Sequence, residues 1–128
     1  MAGQNLKGIA RIYAAFFHSI RGYKATWVHE EAFRQEVYLF VIAGPLGLWI
    51  GDTTVEKVLL TGSIILVMIV ELLNTGIEIV VDRISFERHE LSGRAKDVGS
   101  AAVLTSLALA GLTWGLVLYP RWTLLGAG

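Results

Sequence analysis

Two glutamates, Glu71 and Glu78, sit inside an apolar run long enough to cross a lipid bilayer. The run extends from Val58 to Val81, 24 residues, and only Glu71, Asn74 and Glu78 interrupt it strongly. A membrane-spanning helix needs roughly 20 such residues. An ionised carboxylate at the centre of a bilayer costs about 3 kcal/mol on insertion scales, so a chain keeps one there when it pairs, binds a cation or lines a hydrated cavity. Seven residues make nearly two helical turns, which puts Glu71 and Glu78 on one face, about 10.5 Å apart along the axis. Asn74 and Asp82 fall within one quadrant of that face. One reading makes this a polar stripe that joins helices by hydrogen bonds. The other makes it a site, in which like charges call for a hard cation such as Mg²⁺ with oxygen ligands.

Two more apolar runs flank this one. Val98 to Tyr119 has 22 residues and no charge, and Gly99, Ser100, Ala101, Ala102, Ser106 and Ala110 give it small surfaces for close helix contact. Pro120 is expected to end it. Val37 to Ile50 has 14 residues and is extended backward through Phe33, with a kink expected at Pro45 between Gly44 and Gly47. The composition, 54% hydrophobic and 17% charged, leaves far more apolar surface than a chain of 128 residues can bury within itself. The sequence therefore predicts an all-α integral membrane protein of one domain over residues 1–128, with spans at about 34–50, 58–81 and 98–119. A cytoplasmic loop is expected at 82–97. The stretch from Met1 to Arg11 lacks the apolar core of a cleavable signal peptide.

Lysines and arginines set the orientation. Lys7, Arg11, Arg21, Lys24 and Arg34 precede the first span, and Arg83, Arg88, Arg94 and Lys96 lie in the 82–97 loop. The first loop holds Lys57 and the C-terminal segment Arg121. The N-terminus and the 82–97 loop are thus expected on the cytoplasmic side. Before the first span, Ile9, Ile12, Tyr13, Phe16, Phe17, Ile20, Tyr23 and Trp27 recur at helical spacing, with Lys7, Arg11, His18 and Arg21 opposite. That pattern predicts an amphipathic helix at about 5–27, lying on the membrane surface.

Other classes are excluded. The net charge is zero, so nothing draws in nucleic acid. Cysteine is absent, which removes disulfides and thiolate chemistry. There is no GxxxxGK[ST] phosphate loop, and His89-Glu90 lacks the second histidine of a zinc motif, since position 93 is Gly93. Arg94 and Lys96 are candidates to hold a polyphosphate, against the alternative of a solvated cytoplasmic loop. Glu30 offers another carboxylate, against the alternative of a surface pair with Arg34.

Three blocks carry a resemblance: WVHEEAFRQE at 27–36, VELLNTGIEIVVDRI at 70–84 and HELSGRAKDVGSAAV at 89–103. They closely resemble the prokaryotic diacylglycerol kinase family, and the likeness runs over about residues 10 to 119. Thr75-Gly76 stands where relatives commonly have Ser-Ala, and Phe16-Phe17-His18 departs from a tyrosine common in relatives.

The resemblance implies a homotrimeric helical bundle in the bacterial inner membrane, with active sites between subunits. It implies ATP-dependent phosphorylation of diacylglycerol to phosphatidic acid, with Mg²⁺ accompanying ATP. By motif, Glu71 corresponds to the catalytic base, and Glu30 and Glu78 to the metal ligands. Arg11, His18, Glu87, Arg88, His89, Lys96 and Asp97 correspond to the nucleotide contacts. Arg11, Ser19, Asn74, Ser100 and Trp114 are expected near the lipid. A related branch phosphorylates undecaprenol, and a reading of a different class makes Glu71 and Glu78 an ion relay in a small membrane subunit. The surface helix and the Phe-Arg-Gln-Glu block look closer to the diacylglycerol branch.

Overall fold

The computed structural model describes residues 5–126, with backbone alone at 122–125, as four helices: α1 (Ile9–His29), α2 (Glu31–Ile50), α3 (Thr54–Ile84) and α4 (Glu90–Gly126). The polar residues expected at the extreme N-terminus, 1–4, lie outside the described residues, as do 127–128. Each helix boundary has a local cause. Thr53 opens α3 with a reciprocal cap, its hydroxyl accepting from the Glu56 N–H at 3.1 Å while Glu56 Oε2 accepts from the Thr53 N–H at 3.4 Å. The α1–α2 break is a single extended residue, Glu30 (φ −118°, ψ 108°). Arg34 closes α1 by donating to the carbonyls of Trp27 (2.6 Å) and Val28 (3.2 Å). Arg34 is therefore spent on the backbone, and among the described residues no ion pair joins it to Glu30.

α3 lies between α2 and α4 and packs on both, whereas α1 touches α2 lightly. Tyr23 stacks on Phe33 with centroids 6.5 Å apart, and Trp27 meets Tyr38 edge-on at 5.9 Å. The α3 contact seam is Leu60, Ile64, Val67, Glu71, Asn74, Glu78 and Val81, at steps of four and three. Phe33, Glu36, Phe40, Ala43 and Gly47 face it from α2, and Gly99, Val103, Ser106, Ala110, Trp114, Val117 and Arg121 from α4. Such spacing gives antiparallel helices a knobs-into-holes contact at a shallow crossing angle.

One half of this seam is apolar and tight. Ala43, Ile64, Val67 and Ala110 form its core, with Phe40 and Trp114 against it. A methyl group on Gly47 would meet Leu60 Cβ and Thr61 Oγ1 at 3.0 Å, so α2 and α3 approach almost backbone to backbone there. Thr61 Oγ1 donates to the Gly44 carbonyl at 3.1 Å. The other half of the seam is polar, which is where the chemistry-bearing residues collect.

The helices are longer than the apolar runs. The expected loop 82–97 contracts to Ser85–His89, because α3 continues to Ile84 and α4 begins at Glu90. Charged residues beyond the apolar stretch still complete backbone hydrogen bonds, so hydropathy marks the buried length and not the helix end. Likewise α4 continues through Pro120 to Gly126, and α2 continues through Pro45. The surface helix begins at Ile9 instead of near residue 5 and reaches His29.

Two helices, Thr54–Ile84 and Glu90–Arg121, are long and apolar enough to cross a membrane. Large apolar side chains cover the outside, among them Ile9 (85% exposed), Trp49 (82%) and Phe86 (88%). An outward-facing apolar surface on this scale belongs against lipid or another protein surface. The architecture is thus an all-α, membrane-associated bundle.

Candidate active site

Glu71 replaces an apolar residue in the α3 seam and is 5% exposed, with Asn74 (8%) and Thr75 (3%) one turn on. Its charge is opposed by those of Glu78 and Glu30, and it acts in turn on Glu36. Glu30 at the α1–α2 junction, Glu36 of α2, and Glu71 and Glu78 of α3 thus lie toward the same end of the bundle. Asn74 Nδ2 donates to Glu78 Oε1 at 3.4 Å, whereas Asn74 Oδ1 and Thr75 Oγ1 are buried without a partner. Unmatched buried polar atoms are uncommon and mark either a ligand's place or a strained contact.

Beyond these carboxylates, the end of α3 and the start of α4 enclose a hollow of about 490 Å³. Asp82, Glu87, Arg88, His89 and Lys96 line it. Lys96 Nζ bridges to Asp82 Oδ1 at 2.7 Å, tying the two helices together. The hairpin is set by its own side chains: Ser85 Oγ accepts from the Glu87 N–H at 3.0 Å, and His89 Nδ1 from the Leu91 N–H at 3.1 Å. His89 thereby caps α4 and points its ring nitrogen at backbone. Arg94 does not line this hollow; it pairs with Glu90 at 3.0 Å on the exposed face. Asp97 is exposed and also outside the lining.

Of the hollows that involve α1, two hold residues expected at the site. One of about 500 Å³ is lined by Arg11, His18 and neighbours, and there Arg21 donates to His18 Nδ1. The other, about 380 Å³, lies between α1 and α3 and takes in Ser19, Thr26, Thr75 and Gly76. Ser19 Oγ is turned back to the Ala15 carbonyl at 2.9 Å. Ser100 is exposed on α4. Trp114 stands apart, its indole N–H donating to the Leu60 carbonyl at 3.0 Å in the apolar half. Leu60 precedes Glu71 by 11 residues, about 16 Å of helix.

Three regions are thus within one end of the bundle: the carboxylates, the hairpin hollow with its mixed charge and the α1–α3 hollow. Among the described residues no three histidine or acidic side chains are arranged to hold a metal by themselves. That donor set suits Mg²⁺, which binds through one or two carboxylates and completes its shell with substrate phosphates and water. Glu36 joins the carboxylates although its polarity alone does not mark it as a site residue; its signal is the inward spacing Phe33–Glu36–Phe40–Ala43.

Residues 17–118 match the model of the family described as prokaryotic diacylglycerol kinase. The chain belongs to this family. It is 49% identical over 115 residues to a diacylglycerol kinase of Escherichia coli (strain K12), covering 90% of this chain and 94% of that protein. A Haemophilus influenzae diacylglycerol kinase is 46% identical over 112 residues, with coverages of 88% and 95%. One from Pseudomonas aeruginosa is 42% identical over 111 residues, with coverages of 87% and 90%. The prokaryotic diacylglycerol kinase match spans α2, α3 and nearly all of the apolar part of α4, so it includes every carboxylate of the polar seam.

Proposed function

We propose that this chain is a membrane diacylglycerol kinase, transferring the γ-phosphoryl group of ATP to the free hydroxyl of diacylglycerol and releasing ADP and phosphatidic acid. The observation that carries this reading is the row Glu71, Asn74, Glu78 in the seam of α3, beside a hollow of mixed charge that presents Arg88 and Lys96. The family of the chain and the names of its relatives agree with it.

Glu71 is the general base. It takes the hydroxyl proton as the alcohol oxygen bonds to phosphorus and the bridging oxygen leaves with ADP. Its position suits this role, since Glu71 is a buried carboxylate inside the apolar length of α3, in the half toward the hairpin, where an amphiphile in the membrane can present its hydroxyl. Glu30 and Glu78 hold Mg²⁺, and Asn74 holds Glu78 in place through its amide. The bound ion supplies neutralisation of phosphate charge, which is most of what phosphoryl transfer requires beyond positioning. Lys96, Arg88, His89 and Glu87 bind the nucleotide in the hairpin hollow, with Asp97 beside them, and Arg11 and His18 reach it from α1. Ser19, Ser100 and Trp114, with Arg11 and Asn74, attend the lipid.

The assembly belongs to the same proposal. The chain is one membrane-embedded domain over residues 1–128, in which α2 is the third span and α1 lies on the cytoplasmic surface of the inner membrane. Three copies associate, and their contacts cover part of the outward apolar surface. The assay that tests the function offers purified protein in mixed micelles labelled ATP and Mg²⁺ with either diacylglycerol or undecaprenol. Label in phosphatidic acid supports the reading. Label in undecaprenyl phosphate alone reassigns the substrate, and no label in either lipid together with ion flux through liposomes carrying the protein defeats it.

A further inference from the structure

The hollow of about 380 Å³ between α1 and α3 is bordered on the α3 side by Leu72, Thr75, Gly76 and Ile79 and on the α1 side by Gly22, Tyr23 and Ala25. The α3 residues recur at helical spacing and so form one stripe. Glu71 precedes Thr75 by four residues, which sets it one turn away on the same side of the helix. Two glycines leave room in the hollow: a methyl group added to Gly22 or to Gly76 would meet nothing within 4 Å.

Thr75 is the polar exception in that α3 stripe. It is 3% exposed, and its hydroxyl oxygen is buried without a partner. Ser19 and Thr26, which also line the hollow, have spent their hydroxyls on their own helix, donating to the Ala15 carbonyl at 2.9 Å and to the Gly22 carbonyl at 2.8 Å. A helical threonine can always bond back in this way, so a hydroxyl that does not is available to something else. Threonine has two populated rotamers in a helix, and a turn about its first side-chain bond re-aims the hydroxyl with no movement of backbone. A buried hydroxyl donor in a small, mostly apolar hollow suits a ligand that brings an uncharged acceptor and hydrocarbon together. An acyl ester does so, and in diacylglycerol one lies on the carbon next to the free hydroxyl. A polyprenol has no acceptor other than the hydroxyl that reacts.

We propose that Thr75 is a specificity-determining residue for ester lipids: its hydroxyl donates to the acyl carbonyl beside the reacting hydroxyl, and the gap left by Gly22 and Gly76 receives the start of that acyl chain. The inference rests on the reading of the chain as a diacylglycerol kinase with Glu71 as base. It adds to that reading the group by which the lipid is told from other membrane alcohols.

The test compares a diacylglycerol with the dialkylglycerol of equal chain length, in mixed micelles with ATP and Mg²⁺. The dialkyl lipid keeps the free hydroxyl and has ethers in place of esters, so it lacks the carbonyls. Lipid kcat/KM and unfolding temperature are measured for wild type, Thr75→Val, Thr75→Ser and Gly76→Leu. Wild type is expected to prefer the ester by about tenfold, the worth of one hydrogen bond. Thr75→Val loses that preference by a fall on the ester alone, with the ether value within about twofold of wild type. Thr75→Ser retains the preference. Gly76→Leu fills the gap and raises KM for both lipids, with KM for ATP within about twofold. A wild type that uses ester and ether equally well overturns the proposal before any variant is made, and leaves the kinase reading standing. An equal fall on both lipids in Thr75→Val overturns it too, because a merely structural role moves both. If Thr75→Val fails to fold, the wild-type preference and its retention in Thr75→Ser decide. Phosphorylation of neither lipid by wild type removes the kinase reading itself, and this inference with it.

Discussion

Asn74 Oδ1 rests directly over the α-carbon of Gly99, so closely that a methyl group on Gly99 would collide with it. This contact joins the catalytic face of α3 to α4, and it explains why the small residue is needed at that position. Gly99→Ala forces the Asn74 side chain to turn and loosens its hold on Glu78. Overpacking of this kind costs about 1–3 kcal/mol. The expected outcome is a lower unfolding temperature in micelles and a kcat reduced more than KM for lipid. Unchanged activity and stability would show that Asn74 swings aside freely.

Glu71→Gln preserves volume and removes the base. Turnover is expected to fall by about 10² to 10⁴-fold, with helical circular dichroism and unfolding temperature unaltered. Near-normal turnover in a folded variant rejects the assignment.

Glu78→Gln removes one of the two ligands proposed for Mg²⁺. Titrating the metal at saturating ATP should show the half-maximal Mg²⁺ concentration rising well above that of wild type, while chelation stops turnover in both. The same Mg²⁺ curve in both proteins counts against Glu78 as a ligand.

The Lys96–Asp82 bridge is about 40% exposed on each side, 44% and 38%, so its contribution to stability is small, roughly 0–1 kcal/mol. Its value lies in presenting the ammonium at the hairpin hollow. Lys96→Ala should therefore leave the unfolding temperature nearly constant and raise KM for ATP, with KM for diacylglycerol unaffected. A rise confined to the lipid KM would move Lys96 out of the nucleotide site.

At the opposite end, Arg121 bonds Asp52 Oδ2 and Glu56 Oε2, each at 2.7 Å, and also the Ile50 carbonyl. One side chain thus fastens the end of α4 to the turn between α2 and α3. Arg121→Ala should lower the unfolding temperature by a few degrees, on the order of 1–2 kcal/mol for a part-buried network. High salt should shrink the gap between variant and wild type. Activity at low temperature should persist, because this clasp lies at the far end of α3 from Glu71.

Much of this molecule was legible before its fold. The run around Glu71, Asn74 and Glu78 announced a helix, a bilayer-length segment and a polar face, because helical periodicity and hydropathy are local properties of the chain. The blocks at 27–36, 70–84 and 89–103 pointed to the family that the wider comparison bears out. Helix ends were less legible. The 82–97 stretch looked like a loop because its residues are charged, yet most of it is helix, since backbone hydrogen bonds do not require an apolar surround.

Pairings across helices lay beyond local pattern altogether. Arg34 could have paired with Glu30 one turn away and instead caps α1, and Arg94 pairs with Glu90 and does not line the hairpin hollow. Nothing in the spacing of α3 or α4 said that Gly99 would lie under Asn74. The chain alone determined which residues share a helix face, because rise and rotation per residue are fixed by the backbone. Only the tertiary packing decided which faces meet, because that depends on how side chains from distant segments fill one another's space.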